Sequence, residues 1–160
     1  MPAPKTDNPA HPVSRRVAFT GAGLIMASAM IGSADAAGMS ALEQANMKVV
    51  GDFLKGWAAA NATGAALAAL MTDDGEFRYE RKAPVVGKAA LTAAFDAYLA
   101  GGKRYEMKPL ETHARGPVVT HFRLETPMTG GKAGQVETLV GLFVLAGGKI
   151  RIWENFLAEA

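Results

Sequence analysis

The spacing of hydrophobic positions divides the chain beyond residue 37 into a helical part and a strand part. Between residues 40 and 99, apolar residues recur mostly every three or four positions, which predicts helices. From residue 104 onward they recur every second position, which predicts strands. Helices followed by an antiparallel meander are typical of an α+β domain rather than of alternating βαβ units.

Three helices are predicted in the first part. The first begins after Ser40, which can form a capping box with Glu43. The second, residues 65–71, can be capped by Thr63 and ends at the turn signal of residues 72–75. The third covers residues 91–99 and stops at a glycine pair. The buried stripe predicted for the first helix comprises Leu42, Ala45, Val49, Phe53 and Trp57.

The strand part predicts four long strands joined by short, glycine-containing hairpin connections, and a shorter strand precedes the third helix. The predicted strands are residues 76–80, 104–115, 118–127, 135–146 and 149–157. Strands this long must bend, and helices packed on the concave side of a bent sheet leave a blind cavity. We therefore expect a cone-shaped α+β barrel, with three N-terminal helices packed in a strongly curved antiparallel sheet.

Residues 1–36 have the order of a secretory signal. A polar, proline-rich start leads to Arg15 and Arg16, then to a moderately apolar run, then to Ala34-Asp35-Ala36. The paired arginines and the glycine-diluted apolar run favour the twin-arginine route, although Phe19 lies one place later than in that motif. A membrane anchor is the alternative, but roughly 14 apolar residues fall short of the ~20 that span a bilayer.

A twin-arginine signal over residues 1–36 predicts cleavage after about Ala36 and export to the periplasm, with membrane contact only during export. Residues 37–160 would then form the mature domain, in which acidic and basic residues nearly balance.

Composition narrows the classes of function. The formal net charge is only +2 and the basic residues are not clustered, so no nucleic-acid partner is expected. The chain has no cysteine, which excludes disulfides, iron–sulfur clusters and a cysteine nucleophile. His113 and His121 have no ligand spacing around them, so no metal site is expected either.

Five segments, in their order and spacing, resemble the nuclear transport factor 2-like superfamily, and within it the SnoaL-like and limonene-1,2-epoxide-hydrolase-like branch. These segments are residues 53–57, 67–74, 84–88, 140–143 and 148–156. The resemblance implies a three-helix cone with a curved sheet, usually dimeric, that works without a metal or an organic cofactor. It implies a small apolar or aromatic molecule as the ligand and a homodimer as the assembly.

In this branch, epoxide-opening members bind a water between a Tyr and an Asn of the first strand and move protons with an Asp–Arg–Asp set. The first-strand pair falls here on Phe77 and Tyr79. The last Asp, which sits just after the final-strand Trp, falls on Asn155, whose amide cannot donate a proton as an acid does. The catalytic pattern of that branch is therefore largely not kept in this chain.

The Arg–Asp pair of that set has two placements on the strand at residues 118–127. Without a gap it falls on Phe122 and Leu124, and with a one-residue shift it falls on Arg123 and Glu125. Strand periodicity puts His121, Arg123 and Glu125 on one face and the two apolar residues on the other. Either the polar row is the solvated outer face, or it points into the cone as an anion clamp and a base.

Glu137 is a second candidate acid. Counting back from Gly141, Glu137 and Leu139 share the face expected to line the pocket. A carboxylate desolvated by Leu139, Leu124 and Phe122 would hold its proton near neutrality and could act as a general acid or base. The alternative is a rim or interface glutamate paired with an arginine.

The other candidates each have a chemical and a structural interpretation. Asn155 could orient a water or a substrate oxygen, or it could be a structural amide at the strand end. Tyr79 could donate its phenol to a developing oxyanion, or it could be an aromatic at the pocket lip. Trp57 and Trp153 are expected in the core or the pocket wall. The remaining residues predicted to contact substrate are Phe77, Phe122, Leu124, Leu139 and Leu157.

The leading hypothesis is an exported, cofactor-independent enzyme that transfers protons on a small apolar or aromatic molecule. Epoxide hydrolase, isomerase, cyclase and lyase chemistry all fit such a pocket. The rival hypothesis is a non-catalytic binding or dimerisation module of the same fold, because fold alone does not decide function.

Overall fold

The computed structural model describes residues 38–158, so the predicted signal sequence lies outside the described residues. The helices are α1 (Ala41–Gly56), α2 (Gly64–Ala69) and α3 (Lys88–Leu99). The strands are β1 (Met71–Tyr79), β2 (Val85–Val86), β3 (Arg104–Arg115), β4 (Val118–Thr129), β5 (Lys132–Ala133), β6 (Glu137–Ala146) and β7 (Lys149–Leu157). None of the helices in this part of the chain is long and apolar enough to cross a membrane.

The three helices pack against one strongly curled sheet that forms a half-barrel, which confirms the predicted cone-shaped α+β fold. The strand order is β2-β1-β7-β6-β4-β3, and β5 pairs with β4. The sheet is mixed rather than wholly antiparallel, because β1 and β7 pair in parallel. The chain returns to the side of β1 only after the whole meander, so the first long strand and the last become neighbours.

Helix α1 begins at the predicted capping box, with the Ser40 hydroxyl accepting from the amide of Glu43. Its buried stripe differs from the prediction, since Leu42 is 58% exposed. Two contacts to the β3–β4 turn fix the rotation of the helix: Asn46 Nδ2 donates to the carbonyl of Gly116, and Glu43 accepts from the Gly116 amide. The side chains buried by this part of the chain are Asn46, Val50, Phe53, Leu54 and Trp57.

An aromatic core fills the space between the helices and the concave face of the sheet. The ring centroids of Phe53 and Trp153 lie 4.9 Å apart, and those of Trp57 and Phe95 lie 5.1 Å apart. Phe143 stacks on Trp153 with an interplanar angle of 7°. These large rings form the centre of the hydrophobic core of residues 38–158.

Strand β1 begins earlier than predicted, at Met71 rather than Glu76. The turn signal at residues 72–75 is real, but it acts as an irregularity inside the strand, because the register with β7 shifts between Met71 and Glu76. Beyond the shift, Phe77 pairs with Trp153 and Tyr79 with Asn155. This register brings the first-strand and last-strand candidates side by side.

Candidate active site

Strand β4 turns its polar row into the cone. His121, Arg123 and Glu125 are buried, whereas Phe122 is 36% exposed and Leu124 is half-buried on the opposite, outer face. Of the two placements left open by the sequence, the structure has the one with Arg123 and Glu125 inside. The predicted contact of Phe122 and Leu124 with substrate is therefore wrong, because strand periodicity cannot put both rows on one face.

Arg123 is the centre of a buried polar group, the Arg123 cluster, which consists of Arg123, His121, Glu125 and Asn155. The guanidinium is 0% exposed. Its Nη2 and Nε donate to Glu125 Oε2 at 2.6 and 3.1 Å, and its Nη1 donates to Asn155 Oδ1 at 3.1 Å. Burial lowers the pKa of Arg123 and the Glu125 carboxylate opposes that shift, so the arginine remains charged beside its counter-ion.

His121 is uncharged within the Arg123 cluster. Burial, followed by the charge of Arg123, lowers the pKa of His121 to about 3. Its Nε2 lies 3.3 Å from Arg123 Nη1. Since a neutral imidazole accepts through one nitrogen only, Nε2 is the acceptor and the proton lies on Nδ1. That Nδ1 has no hydrogen-bond partner among residues 38–158.

The absence of a side chain at Gly141 leaves space for the Arg123 cluster. It lies on β6 directly between His121 of β4 and Asn155 of β7. A Cβ atom at Gly141 would overlap His121 Nε2 and would lie 3.0 Å from Arg123 Nη1. The missing side chain therefore lets Arg123 reach across β6 to Asn155. This role was not predicted, although a glycine inside an apolar strand often marks a close approach of another group.

A small inner cavity opens beside the cluster. Its volume is about 20 Å³, which is room for about one water molecule. Glu125 and Asn155 are its polar wall, together with the ring of Tyr79. The remaining lining residues are Trp57, Phe77, Tyr98, Tyr105, Met107 and Trp153. Trp57, Phe77 and Trp153 were among the candidate residues from the sequence, whereas Tyr98, Tyr105 and Met107 were not.

A wider outer cavity, the vestibule, lies outside the inner one and has a volume of about 740 Å³. Glu125 and the three tyrosines line both cavities, so they form the boundary between them. The other vestibule residues are Lys82, Lys103, Pro127, Thr129, Lys132, Ala133, Gly134 and Glu137.

The boundary tyrosines, Tyr79, Tyr98 and Tyr105, keep their protons at neutral pH. Burial, then the charges of Glu137 and Glu125, raises the pKa of Tyr79 to about 12. Burial and the Glu125 charge also raise the pKa of Tyr98 and of Tyr105. Phenols that keep their protons can donate hydrogen bonds to an oxygen on which negative charge develops.

Glu137 does not have the desolvated position predicted for it. It lies on the inward face of β6 as the cross-strand neighbour of Glu125, but it is exposed in the vestibule. Phe122 and Leu124 cannot cover it because they face outward. Leu139 is fully buried, yet it lies beside Arg123 in the register and lines neither cavity. Glu137 makes no ion pair with any residue of the described range, so the rim-pair alternative is not seen either.

Leu157 was also predicted to contact substrate, and this is wrong. It is 39% exposed at the end of β7, opposite Leu139 in the register. The inner cavity ends two residues earlier on this strand, at Asn155.

Residues 38–158 bring together no group of three His, Asp or Glu side chains that could hold a metal ion. What this part of the chain does bring together is one carboxylate held by a buried arginine, one amide and three phenols. This set can accept a proton and can donate hydrogen bonds to oxygen.

Comparisons with known proteins agree with this fold. The sequence pattern of the SnoaL-like domain family matches residues 50–153. The chain therefore belongs to the SnoaL-like domain family of the nuclear transport factor 2-like superfamily, and the resemblance seen in the sequence is confirmed. No curated protein matches the chain.

Several solved structures share the fold at low sequence identity. The epoxide hydrolase from Mycobacterium tuberculosis that resembles limonene-1,2-epoxide hydrolase is 17% identical with a TM-score of 0.63, over 72% of this chain and 84% of that one. A nuclear transport factor 2-like protein from Anabaena variabilis is 15% identical with a TM-score of 0.61, over 76% and 96%. SalBIII, an epoxide hydrolase/cyclase-like enzyme of pyran ring formation in salinomycin, is 17% identical with a TM-score of 0.59, over 72% and 92%.

Proposed function

We propose that this protein is a small-molecule enzyme that performs general acid–base chemistry without a cofactor on a substrate with an apolar or aromatic body. The observation that carries the proposal is the position of Glu125. Its carboxylate is held by the fully buried Arg123 and faces both the inner cavity and the vestibule.

Arg123 uses only one of the two carboxylate oxygens of Glu125. Both hydrogen bonds from Arg123 go to Oε2, and Oε1 makes none with residues 38–158. Arg123 therefore orients the carboxylate and stabilises its charge, while Oε1 can take a proton from a substrate carbon or from a water. The phenol of Tyr79 can donate a hydrogen bond to the substrate oxygen on which negative charge develops.

Asn155 stands where the epoxide-hydrolase-like branch carries its last acid. Its Oδ1 accepts from Arg123, and its Nδ2 makes no hydrogen bond with another residue of the described range. Asn155 can thus orient a water or a substrate oxygen but cannot exchange a proton. With Glu125 as the single carboxylate of the inner cavity, a reaction in which one group takes and returns the proton is favoured. Isomerisation, cyclisation and elimination meet this condition better than two-acid epoxide hydrolysis.

A non-catalytic binding module is the second candidate, and the size of the inner cavity favours it. A space of about 20 Å³ does not hold an organic molecule, so a ligand body must lie in the vestibule or displace the boundary tyrosines.

Turnover of a compound panel separates the two candidates. Aryl ketones incubated with the protein in heavy water should gain deuterium next to the carbonyl if Glu125 abstracts a proton, and aromatic epoxides should gain one water if it activates water. Mass spectrometry detects both products. If the parent protein forms product and Glu125→Gln does not, the result supports the enzyme hypothesis. If panel compounds bind but no product forms, the result supports the binding-module hypothesis.

Export through the twin-arginine route and assembly as a homodimer are also part of our proposal. The first rests on the sequence of residues 1–36 and the second on the family resemblance and on the outer face of the sheet.

A further inference from the structure

Three lysines surround the vestibule. Lys82 follows β1, Lys103 precedes β3 and Lys132 lies on β5, so lysines from three separate segments line the same cavity. No residue between 38 and 158 makes an ion pair with any of the three. Since exposed charges in a concave site act together on a ligand, the three ammonium groups form one electrostatic feature.

The vestibule carries an excess of positive charge. Its carboxylates are Glu125 and Glu137, and Glu125 is already paired with Arg123 at 2.6 Å. Glu137 is thus left as one carboxylate against three lysines. The whole chain has a net charge of only +2, with acids and bases interleaved, so this local excess is a feature of the vestibule and not of the protein in general.

The excess charge lies next to the candidate chemistry. Lys82 Nζ lies 4.8 Å from the centroid of the Tyr79 ring, a cation–π contact that holds the ammonium near the boundary tyrosine. Tyr79 lines both cavities. An anion bound at Lys82 therefore places the rest of a ligand beside the boundary to which both Tyr79 and Glu125 belong. The apolar wall on that side is formed by the rings of Tyr98 and Tyr105.

We propose that the ligand of this site is a small aromatic or apolar acid, whose carboxylate binds to Lys82, Lys103 and Lys132 while its apolar part covers the boundary tyrosines. This inference deepens the proposed function, since it names the substrate class of the same site. It does not depend on turnover, because the lysines act on the bound ground state.

The test compares two probes that differ in charge and hardly in shape, hydrocinnamate and hydrocinnamamide. The two tryptophans of the chain are Trp57 and Trp153, and both line the inner cavity, so their fluorescence reports a ligand at the boundary. We expect hydrocinnamate to bind about tenfold more tightly than the amide at low salt, since each exposed ion pair adds a modest gain. Added salt should reduce this preference.

The variant Lys82→Gln/Lys103→Gln/Lys132→Gln should bind the acid and the amide equally. Its control is Lys55→Gln/Lys108→Gln/Lys149→Gln, which removes the same charge from lysines that line neither cavity and should keep the preference. The inference would be overturned if the parent protein bound the acid and the amide equally, or if it bound neither of them. Equal losses in the two triple variants would also overturn it. Because Glu125 is intact in all of these proteins, a failure of catalysis is seen separately, in Glu125→Gln.

Discussion

Arg123 Nη2 and Glu125 Oε2 lie 2.6 Å apart on the inward face of one strand, with the Arg123 side chain 0% exposed and the Glu125 side chain 12% exposed. Buried charges are tolerated only when each has a partner, so the two residues require each other inside the cone. A slip of one residue in β4 would move both to the outer face and bring Phe122 inside. The pair therefore fixes the register of β4 as well as the position of the carboxylate.

The space at Gly141 should be essential for the Arg123 cluster. Gly141→Ala puts a methyl group against His121 Nε2 and Arg123 Nη1, and we expect a loss of about 1–3 kcal/mol in the free energy of unfolding. Urea denaturation measures it. The matched control is Gly51→Ala on α1, where no atom lies within 4 Å of the new carbon and a gain of up to ~1 kcal/mol is expected. A Gly141→Ala protein as stable as the parent would contradict the geometry.

The neutral His121 should make the protein sensitive to acid. Its pKa in the folded chain is about 3, against 6.5 for an ordinary histidine, so between these values the unfolded chain binds more protons than the folded one. The contribution to stability is complete above pH 6.5 and is lost as the pH falls toward 3. The slope from this group is at most about 1.4 kcal/mol per pH unit.

Urea denaturation at a series of pH values below 6.5 measures this dependence. His121→Asn keeps an acceptor for Arg123 but does not titrate in this range, so its stability should fall less steeply than that of the parent. His113→Asn changes an exposed imidazole, 76% accessible, and should leave the slope as it is. Parallel slopes for His121→Asn and the parent would show that His121 is not held neutral by the fold.

The outer face of the sheet carries the proposed dimer contact. Phe122, Val140 and Phe156 are consecutive neighbours across β4, β6 and β7, and they are 36%, 39% and 42% exposed. Such a row is an apolar patch that a second copy would cover. Sedimentation of residues 37–160 should give about twice the monomer mass, and Val140→Glu should give the monomer. Val86→Glu, at an exposed valine outside the row, should remain dimeric. A monomeric parent protein would end this proposal.

The fold was predictable because it depends on periodicity, which a single sequence displays. The period of two from Arg104 onward placed β3 and β7 with their observed bounds. The parallel pairing of β1 with β7 was not predictable, because it depends on how the meander curls and not on the residues of either strand. The stripe of α1 was predicted correctly at Phe53 and Trp57 and wrongly at its N-terminal end, where Leu42 is 58% exposed and the polar contacts to Gly116 hold the helix.

The site was predictable only in part. Asn155 and Trp153 both line the inner cavity, and the bounds of their strand, β7, followed from periodicity alone. The acid was less certain, since Glu125 and Glu137 are cross-strand neighbours and the sequence does not say which one is covered. His121 and Gly141 were missed as members of the site because their roles arise from contacts across three strands.

Export is tested with the N-terminal segment alone. Residues 1–37 fused to a reporter that matures only when exported in the folded state should give signal outside the cytoplasm. Replacing Arg15 and Arg16 with lysine should abolish that signal, because the twin-arginine route reads the paired guanidinium groups. Unchanged export by the double variant would reject this route and leave general secretion.

The role of Glu125 is tested most directly by comparing Glu125→Gln with Glu137→Gln on the same substrate. Both changes remove one carboxylate from neighbouring positions, but only Glu125 is oriented by Arg123 at the inner cavity. Loss of general acid–base help costs about 100- to 10,000-fold in rate, so kcat should fall by that order in Glu125→Gln and stay within a few-fold in Glu137→Gln.

Glu125→Asp keeps the negative charge beside Arg123 and should therefore retain part of the activity. This variant separates a loss of proton transfer from a loss of folding. Circular dichroism checks that each variant is folded. We expect kcat to decrease in the order parent, Glu125→Asp, Glu125→Gln, with hydrocinnamate binding kept in all three. A folded Glu125→Gln protein that turns over substrate within a few-fold of the parent would contradict this expectation.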